Sequence, residues 1–139
     1  MSKVTTADKI TYSNDTMALA TDADLTQARG LSGSLSDGVL AGYILGGWTA
    51  GGSVTTTDKI VFATDTTAAE TDADLSTGVS PQGTGASDGT DGYTAGGYTS
   101  DYAVTAHKLV FATDTTTAHT DADLSVARGY CCGMGTDSV

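Results

Sequence analysis

Hydrophobic residues along this chain fall in short runs that alternate with polar ones and are broken by Gly, Asn and Asp. Residues 58–63 show the pattern most clearly: Ile60 and Phe62 point to one side, Lys59, Val61 and Ala63 to the other. Within one period four strands are predicted, over 29–35, 39–45, 58–63 and 66–75, with the run ending at Leu45 the most apolar. Thr64-Asp65 between the last two predicts a short acidic hairpin turn. Helix is disfavoured throughout, because Thr, Gly and Asp sit low on the helix scale and strong helix formers are scarce. The expected class is all-β. A Gly- and Thr-rich acidic chain could instead be disordered, but 39% hydrophobic residues in period-2 order oppose that reading.

The chain also matches itself at a shift of about 50 residues. Val4-Thr5-Thr6-Ala7-Asp8-Lys9-Ile10 returns as Val54-Thr55-Thr56-Thr57-Asp58-Lys59-Ile60, and one residue shorter as Val104-Thr105-Ala106-His107-Lys108-Leu109. Each copy runs into an aromatic residue and an acidic turn: Tyr12 to Thr16, Phe62 to Thr66, Phe111 to Thr115. Thr-Asp-Ala-Asp-Leu follows three times, ending at Leu25, Leu75 and Leu124. Ala28-Arg29-Gly30 matches Ala127-Arg128-Gly129, whereas the middle copy has Thr77-Gly78-Val79. Gly42-Tyr43-Ile44-Leu45-Gly46-Gly47-Trp48 matches Gly92-Tyr93-Thr94-Ala95-Gly96-Gly97-Tyr98. Residues 1–139 read as a single repeat domain with copies over about 4–53, 54–103 and 104–139, the last one truncated.

The Gly-Tyr-x-x-Gly-Gly step, the Ala-Arg-Gly segment and the aromatic/Asp-Thr turn resemble kelch-type repeats, in the Thr/Asp/Gly-rich form found in bacteriophage and cyanobacterial proteins. The resemblance covers nearly the whole chain and implies kelch-like β-propeller blades, each a four-stranded antiparallel sheet. It also implies that Gly46-Gly47 and Gly96-Gly97 end the second strand, where a neighbouring blade comes close and a Cβ would not fit. One departure is that the outer-strand tryptophan of typical kelch repeats is missing, and Trp48, the single tryptophan, follows the double glycine. By this reading the chain holds two strands, two full blades and one last strand over 128–135, eleven strands in all. So few blades cannot close a ring, so completion by a homo-oligomer is the first expectation, ahead of packing on another protein or membership of a longer chain.

Composition narrows the function classes. Thr, Ala, Gly and Asp supply 79 of 139 residues, the net charge is −11, and only six Lys and Arg are present. That leaves too few cations for a phosphate-tracking surface, which argues against nucleic-acid binding. No apolar run approaches the roughly 20 residues of a membrane-spanning helix, and the first residues have no apolar leader-like run.

Candidate chemistry is thin. Asp22/Asp24, Asp72/Asp74 and Asp121/Asp123 are i, i+2 pairs that, in a strand, would present two carboxylates on one face, as a hard cation wants; a solvated, charge-protected edge strand explains them better. His107 and His119 could meet across a hairpin, with Asp114 or Asp121 as a third metal ligand, but surface substitution in one repeat is the simpler account. Cys131-Cys132 lacks metal or redox spacing and suits small buried hydrophobes, with an intersubunit disulfide as the alternative. Gly83-Thr84-Gly85 has no following Lys-Ser/Thr or helix for phosphate, and no serine sits in a nucleophile motif. The expectation is therefore no enzyme, no catalytic residue, no metal and no cofactor. By resemblance the chain is expected to be a structural bacteriophage virion protein, of tail-fibre or capsid-decoration type, contacting other virion proteins. The alternative is a carbohydrate- or protein-binding propeller on a bacterial cell surface, with Tyr43, Trp48, Tyr93, Tyr98 and Tyr102 as stacking faces for a glycan.

Overall fold

The computed structural model describes residues 3–82, 85–131 and 133. Strands and three single-turn 3-10 segments account for the regular structure, and no α-helix occurs among the described residues. The protein is all-β.

β1 (Asp8–Thr11) and β2 (Thr16–Leu19) form an antiparallel hairpin. The first four-stranded sheet follows, with β3 (Gly33–Ser36), β4 (Ala41–Leu45), β7 (Thr57–Val61) and β8 (Thr66–Ala69) in that spatial order. Between β4 and β7 the chain makes a small second hairpin from β5 (Trp48–Thr49) and β6 (Gly52–Ser53). The second four-stranded sheet is β9 (Ala86–Ser87), β10 (Asp91–Ala95), β11 (Ala106–Val110) and β12 (Thr115–Ala118), again in spatial sequence. All neighbours are antiparallel, including β4–β7 and β10–β11, which longer segments connect.

Turn chemistry fixes these meanders. Asp15, Asp65 and Asp114 adopt φ of 53, 54 and 52°, the left-handed conformation that Asp tolerates better than β-branched residues. At the β3–β4 turn, Asp37 Oδ1 accepts the backbone N–H groups of Val39, Leu40 and Ala41 at 2.8–3.0 Å, and Asp88 repeats this toward Thr90 and Asp91. Burial acts to raise the Asp37 pKa, but these backbone bonds together outweigh it and hold the carboxyl below the usual range. At Asp88 the same kind of bond is the main cause, and that carboxyl is lowered too.

The core lies between the two large sheets. Leu35, Tyr43, Leu45, Leu75, Val79 and Leu109 form one cluster, with Phe111 packed on it. Tyr43 of the first sheet stacks on Phe111 of the second, with ring centroids 5.5 Å apart. Ile60 and Phe62 share a face as alternation predicts, and Gly42 leaves the space the Phe62 ring fills.

Three predicted elements differ. The strand expected over 29–35 is ordered only as Gly33–Ser36, because Gly30 bridges to Trp48 instead. The strand expected over 66–75 stops at Ala69, and Thr71–Ala73 is a 3-10 turn. The strand expected over 128–135 does not form over its described residues, 128–131 and 133, which are irregular; the rest of it, with Cys132, and the Gly83-Thr84 pair lie outside the described residues. Twelve strands are described rather than eleven, because the β5–β6 hairpin adds two and the last expected strand is not among them.

Candidate functional site

Two places gather the distinctive side chains: the junctions between repeats, and an aromatic cleft beside the double glycines.

The Thr-Asp-Ala-Asp-Leu motif builds part of each junction, in a manner that strand alternation does not predict. Each copy is a 3-10 turn, at Thr21–Ala23, Thr71–Ala73 and Thr120–Ala122, so the two carboxylates of a pair do not share a strand face. Asp22, Asp72 and Asp121 face solvent. Asp24, Asp74 and Asp123 follow the turn, and their Oδ1 atoms accept backbone N–H bonds from Ala7, Thr57 and Ala106 at 2.9, 2.7 and 2.7 Å. The next residue then bonds back along the chain, Leu25 N–H to Thr5 O, Leu75 to Thr55 and Leu124 to Val104, each at 2.9 Å. These aspartates are clamps that close the hairpin base, rather than charges protecting an edge strand. No group of three or more His, Cys, Asp or Glu is placed to hold a metal among the described residues.

The turn also carries the chain onto the following sheet. Thr67 Oγ1 of β8 donates to Ala23 O at 2.9 Å and helps cover Ala23. Beyond it, Thr26 donates its backbone N–H to Asp58 Oδ2 at 3.1 Å, and its hydroxyl donates to Oδ1. Arg29 Nη2 meets the same carboxylate at 2.9 Å and also donates to Ile44 O. Both charged side chains are fully buried, and Arg29 Nε and Nη1 have no hydrogen-bond partner among the described residues. The corresponding pair one repeat later is Ser76 Oγ and His107 Nε2, 3.1 Å apart. Burial pushes the His107 pKa down, only partly opposed by Asp123, and its Nδ1 has no partner among the described residues.

A second set of contacts links successive hairpin turns. Lys9 Nζ meets Asp65 Oδ2 at 2.5 Å across the exposed surface, and Lys59 Nζ meets Asp114 Oδ2 at 2.6 Å. Tyr43 OH donates to Asp114 Oδ1 at 2.5 Å. Burial first, and then this bond to a carboxylate, push the Tyr43 hydroxyl well above its ordinary pKa. Burial acts to raise Asp114, but the Lys59 and Tyr43 bonds outweigh it and leave that carboxyl below the usual range. Lys108, at the same repeat position as Lys9 and Lys59, pairs within its own sheet with Asp91 at 2.6 Å.

The histidines do not form a site together. The strand register places Ala118 opposite His107, so His119 lies toward the other face, beside the Tyr93 ring. Cys131 is a free, half-buried thiol. Gly85 packs against the backbone of Ser34, a close-packing role.

Of the five aromatic residues nominated as stacking faces, the fold separates two and gathers three. Tyr43 is buried between the sheets, and Tyr93 lies under the Lys108 ammonium with His119 at its edge. Trp48, Tyr98 and Tyr102 meet in sequence, with centroids 5.6 and 5.8 Å apart. With Leu31, Ser80, Gln82 and Tyr130 they line a cleft of about 220 Å³. Leu31, Gln82 and Tyr130 reach it from positive-φ backbone at 57, 59 and 55°. Gln82 ties the three together: its backbone N–H donates to Leu31 O, and its Oε1 accepts the Tyr130 N–H at 2.8 Å. Neither Gln82 nor Tyr130 stands out in the sequence, because residue type alone does not show that successive repeats present these positions side by side. No family model matches the sequence, and no curated protein is similar to it.

Proposed function

We propose that this chain is a structural, non-enzymatic protein built from kelch-like blades, which associates with copies of itself and forms an exposed part of a bacteriophage particle, as a tail-fibre or capsid-surface component. The observation that carries the reading is the recurrence of one junction: Lys9–Asp65 is repeated by Lys59–Asp114, and Thr26–Asp58 by Ser76–His107. A unit that joins its neighbour through the same positions each time is suited to serial assembly, in which each repeat buries its face on the next. The virion assignment rests on the likeness of the repeat to phage proteins and on an acidic surface of small side chains that keeps an exposed assembly soluble. Antibody labelling of purified phage particles from the encoding organism tests it. Label on the particle surface is expected, and protein recovered only away from particles contradicts the assignment.

The aromatic cleft favours a second reading, a glycan-binding surface protein. Trp48, Tyr98 and Tyr102 offer apolar rings beside the Ser80 hydroxyl and the Gln82 amide, the mixture that sugar faces and hydroxyls require. Trp48 is the single tryptophan, so its fluorescence reports this cleft alone. Saturable quenching or shift by a glycan panel, lost in Tyr98→Ala, favours this reading over a purely structural role.

A further inference from the structure

The repeat gives every junction position three occupants. Lys9, Lys59 and Lys108 share one, and Asp15, Asp65 and Asp114 another. Asp8, Asp58 and His107 share a third, Thr26, Ser76 and Ser125 a fourth, and Arg29, Val79 and Arg128 a fifth. Where the fifth position is Arg29, the residue it meets in the following hairpin is Asp58. Where it is Val79, the third position is His107, and only the hydroxyl contact from Ser76 remains. Side-chain types are thus matched across each junction rather than chosen independently.

Beyond the second sheet the same set is presented with nothing on it among the described residues. Ser125 and Arg128 are exposed, and neither side chain has a partner among the described residues. An arginine at the fifth position calls for an aspartate at the third, and that residue is Asp8, exposed on β1 with no side-chain partner among the described residues. Every residue of the β1–β2 hairpin is exposed, although Lys9 reaches across to Asp65. Tyr12 is 85% exposed, whereas its equivalent Phe111 stacks on Tyr43, and Met17 and Leu19 are 65% and 60% exposed. At the opposite end Ala122 is exposed, although its equivalents Ala23 and Ala73 are buried by the strand that follows.

We infer that these two ends fit each other: the β1–β2 hairpin of a second copy docks on the face carrying Lys108, Tyr93, Ser125 and Arg128. Asp8 of the second copy takes the place that Asp58 takes on Thr26 and Arg29. Asp15 of the second copy stands toward Lys108 as Asp65 stands toward Lys9, joining Asp91 there. Tyr12 of the second copy covers Tyr93 as Phe111 covers Tyr43. The interface is head-to-tail, so it propagates into a ring or a fibre rather than closing as a two-fold dimer. This deepens the proposed self-association and rests on it.

Sedimentation velocity on the full chain provides the test, with Asp8→Arg and Arg128→Asp studied alone and mixed. Each variant alone places like charges together and is expected to weaken self-association by roughly tenfold or more. In the equimolar mixture opposite charges meet at both kinds of junction: the native Arg128 of one variant faces the native Asp8 of the other, and the introduced aspartate faces the introduced arginine. Association is then expected to return to within about threefold of the unmodified chain. Tyr12→Ala is expected to weaken association without altering charge, and far-ultraviolet melts show that each variant folds. Self-association unchanged in all three variants refutes this interface while leaving oligomerisation standing. So does a mixture no better than its components. A wild-type chain that stays monomeric removes both the interface and the reading beneath it.

Discussion

Valine substitutions at three glycines separate steric approach from backbone strain within a single segment. Gly47 has φ of +120°, and a Cβ built there falls 2.5 Å from Ser32 Oγ and 2.9 Å from Gly30 O. Its N–H also donates to Val79 O, and its carbonyl accepts from Val54 N–H, both at 3.0 Å, so the backbone cannot move without losing two bonds. Gly52 has φ of +116° with nothing within 4 Å of its Cβ position. Gly51 has neither burden, its nearest atom being Thr49 Oγ1 at 3.7 Å. Positive φ alone is worth about 1–2 kcal/mol for a β-branched residue, and overpacking by one side chain adds a further 1–2 kcal/mol or so. Gly47→Val is therefore expected to lose about 2–4 kcal/mol, Gly52→Val about 1–2, and Gly51→Val under about 0.5. At roughly 4 °C per kcal/mol for a chain of this size, the Gly47 variant melts about 8–16 °C lower. Urea unfolding by far-ultraviolet circular dichroism gives the three values on one scale. Gly47→Val no worse than Gly52→Val would mean that the segment from Gly30 to Ser32 does not press on the double glycine, and the packing described at this strand end would be wrong.

The buried Arg29–Asp58 pair predicts that Arg29→Met, which leaves a desolvated carboxylate, costs about 3–5 kcal/mol, whereas Arg29→Met with Asp58→Leu recovers much of the loss; chemical unfolding of the single and double variants decides it, and additive losses would contradict the pairing. His107 has a folded pKa below its unfolded value of about 6.5, so the unfolded state binds the proton first. Stability is then flat above about pH 6.5 and falls below it, by at most about 1.4 kcal/mol per pH unit; His107→Gln should flatten that limb, and an unchanged pH profile would refute the burial argument. Because Asp24, Asp74 and Asp123 are spent on backbone amides, chelator should move the melting temperature by less than about 3 °C, whereas Asp74→Ala should cost about 1–3 kcal/mol; a chelator shift above about 10 °C would reinstate a structural cation.

The sheet strands were legible because their signal is local. Alternation from Asp58 to Ala63, the Thr-Asp-Thr turns and the double glycines each report backbone geometry within a few residues. Thr-Asp-Ala-Asp-Leu misleads for the same reason: its alternating polar and apolar order mimics a strand, although its second Asp turns back to cap an amide 17 residues earlier. The Asp37-Gly38 and Asp88-Gly89 turns carried a readable hairpin signal that the strand-centred reading passed over. Junction pairs such as Lys59–Asp114 and Tyr43–Asp114, 55 and 71 residues apart, left no local trace. Their one sequence signal is the repeat itself, which shows the same Lys and Asp types returning at fixed positions. The aromatic cleft was half legible: residue type nominated Trp48, Tyr98 and Tyr102, but only the stacking of Leu31, Gln82 and Tyr130 from successive repeats shows why these rings and not Tyr43 or Tyr93 share a surface.

Native mass spectrometry of the untagged chain at micromolar concentration addresses the central claim, that this is a repeat unit made to join copies of itself. The account predicts a ladder or a single closed species at multiples of 13.9 kDa, weakened by raised ionic strength as paired charges at the junction require. A compact 13.9 kDa species alone, cooperatively folded and unchanged from low to high salt, would contradict it.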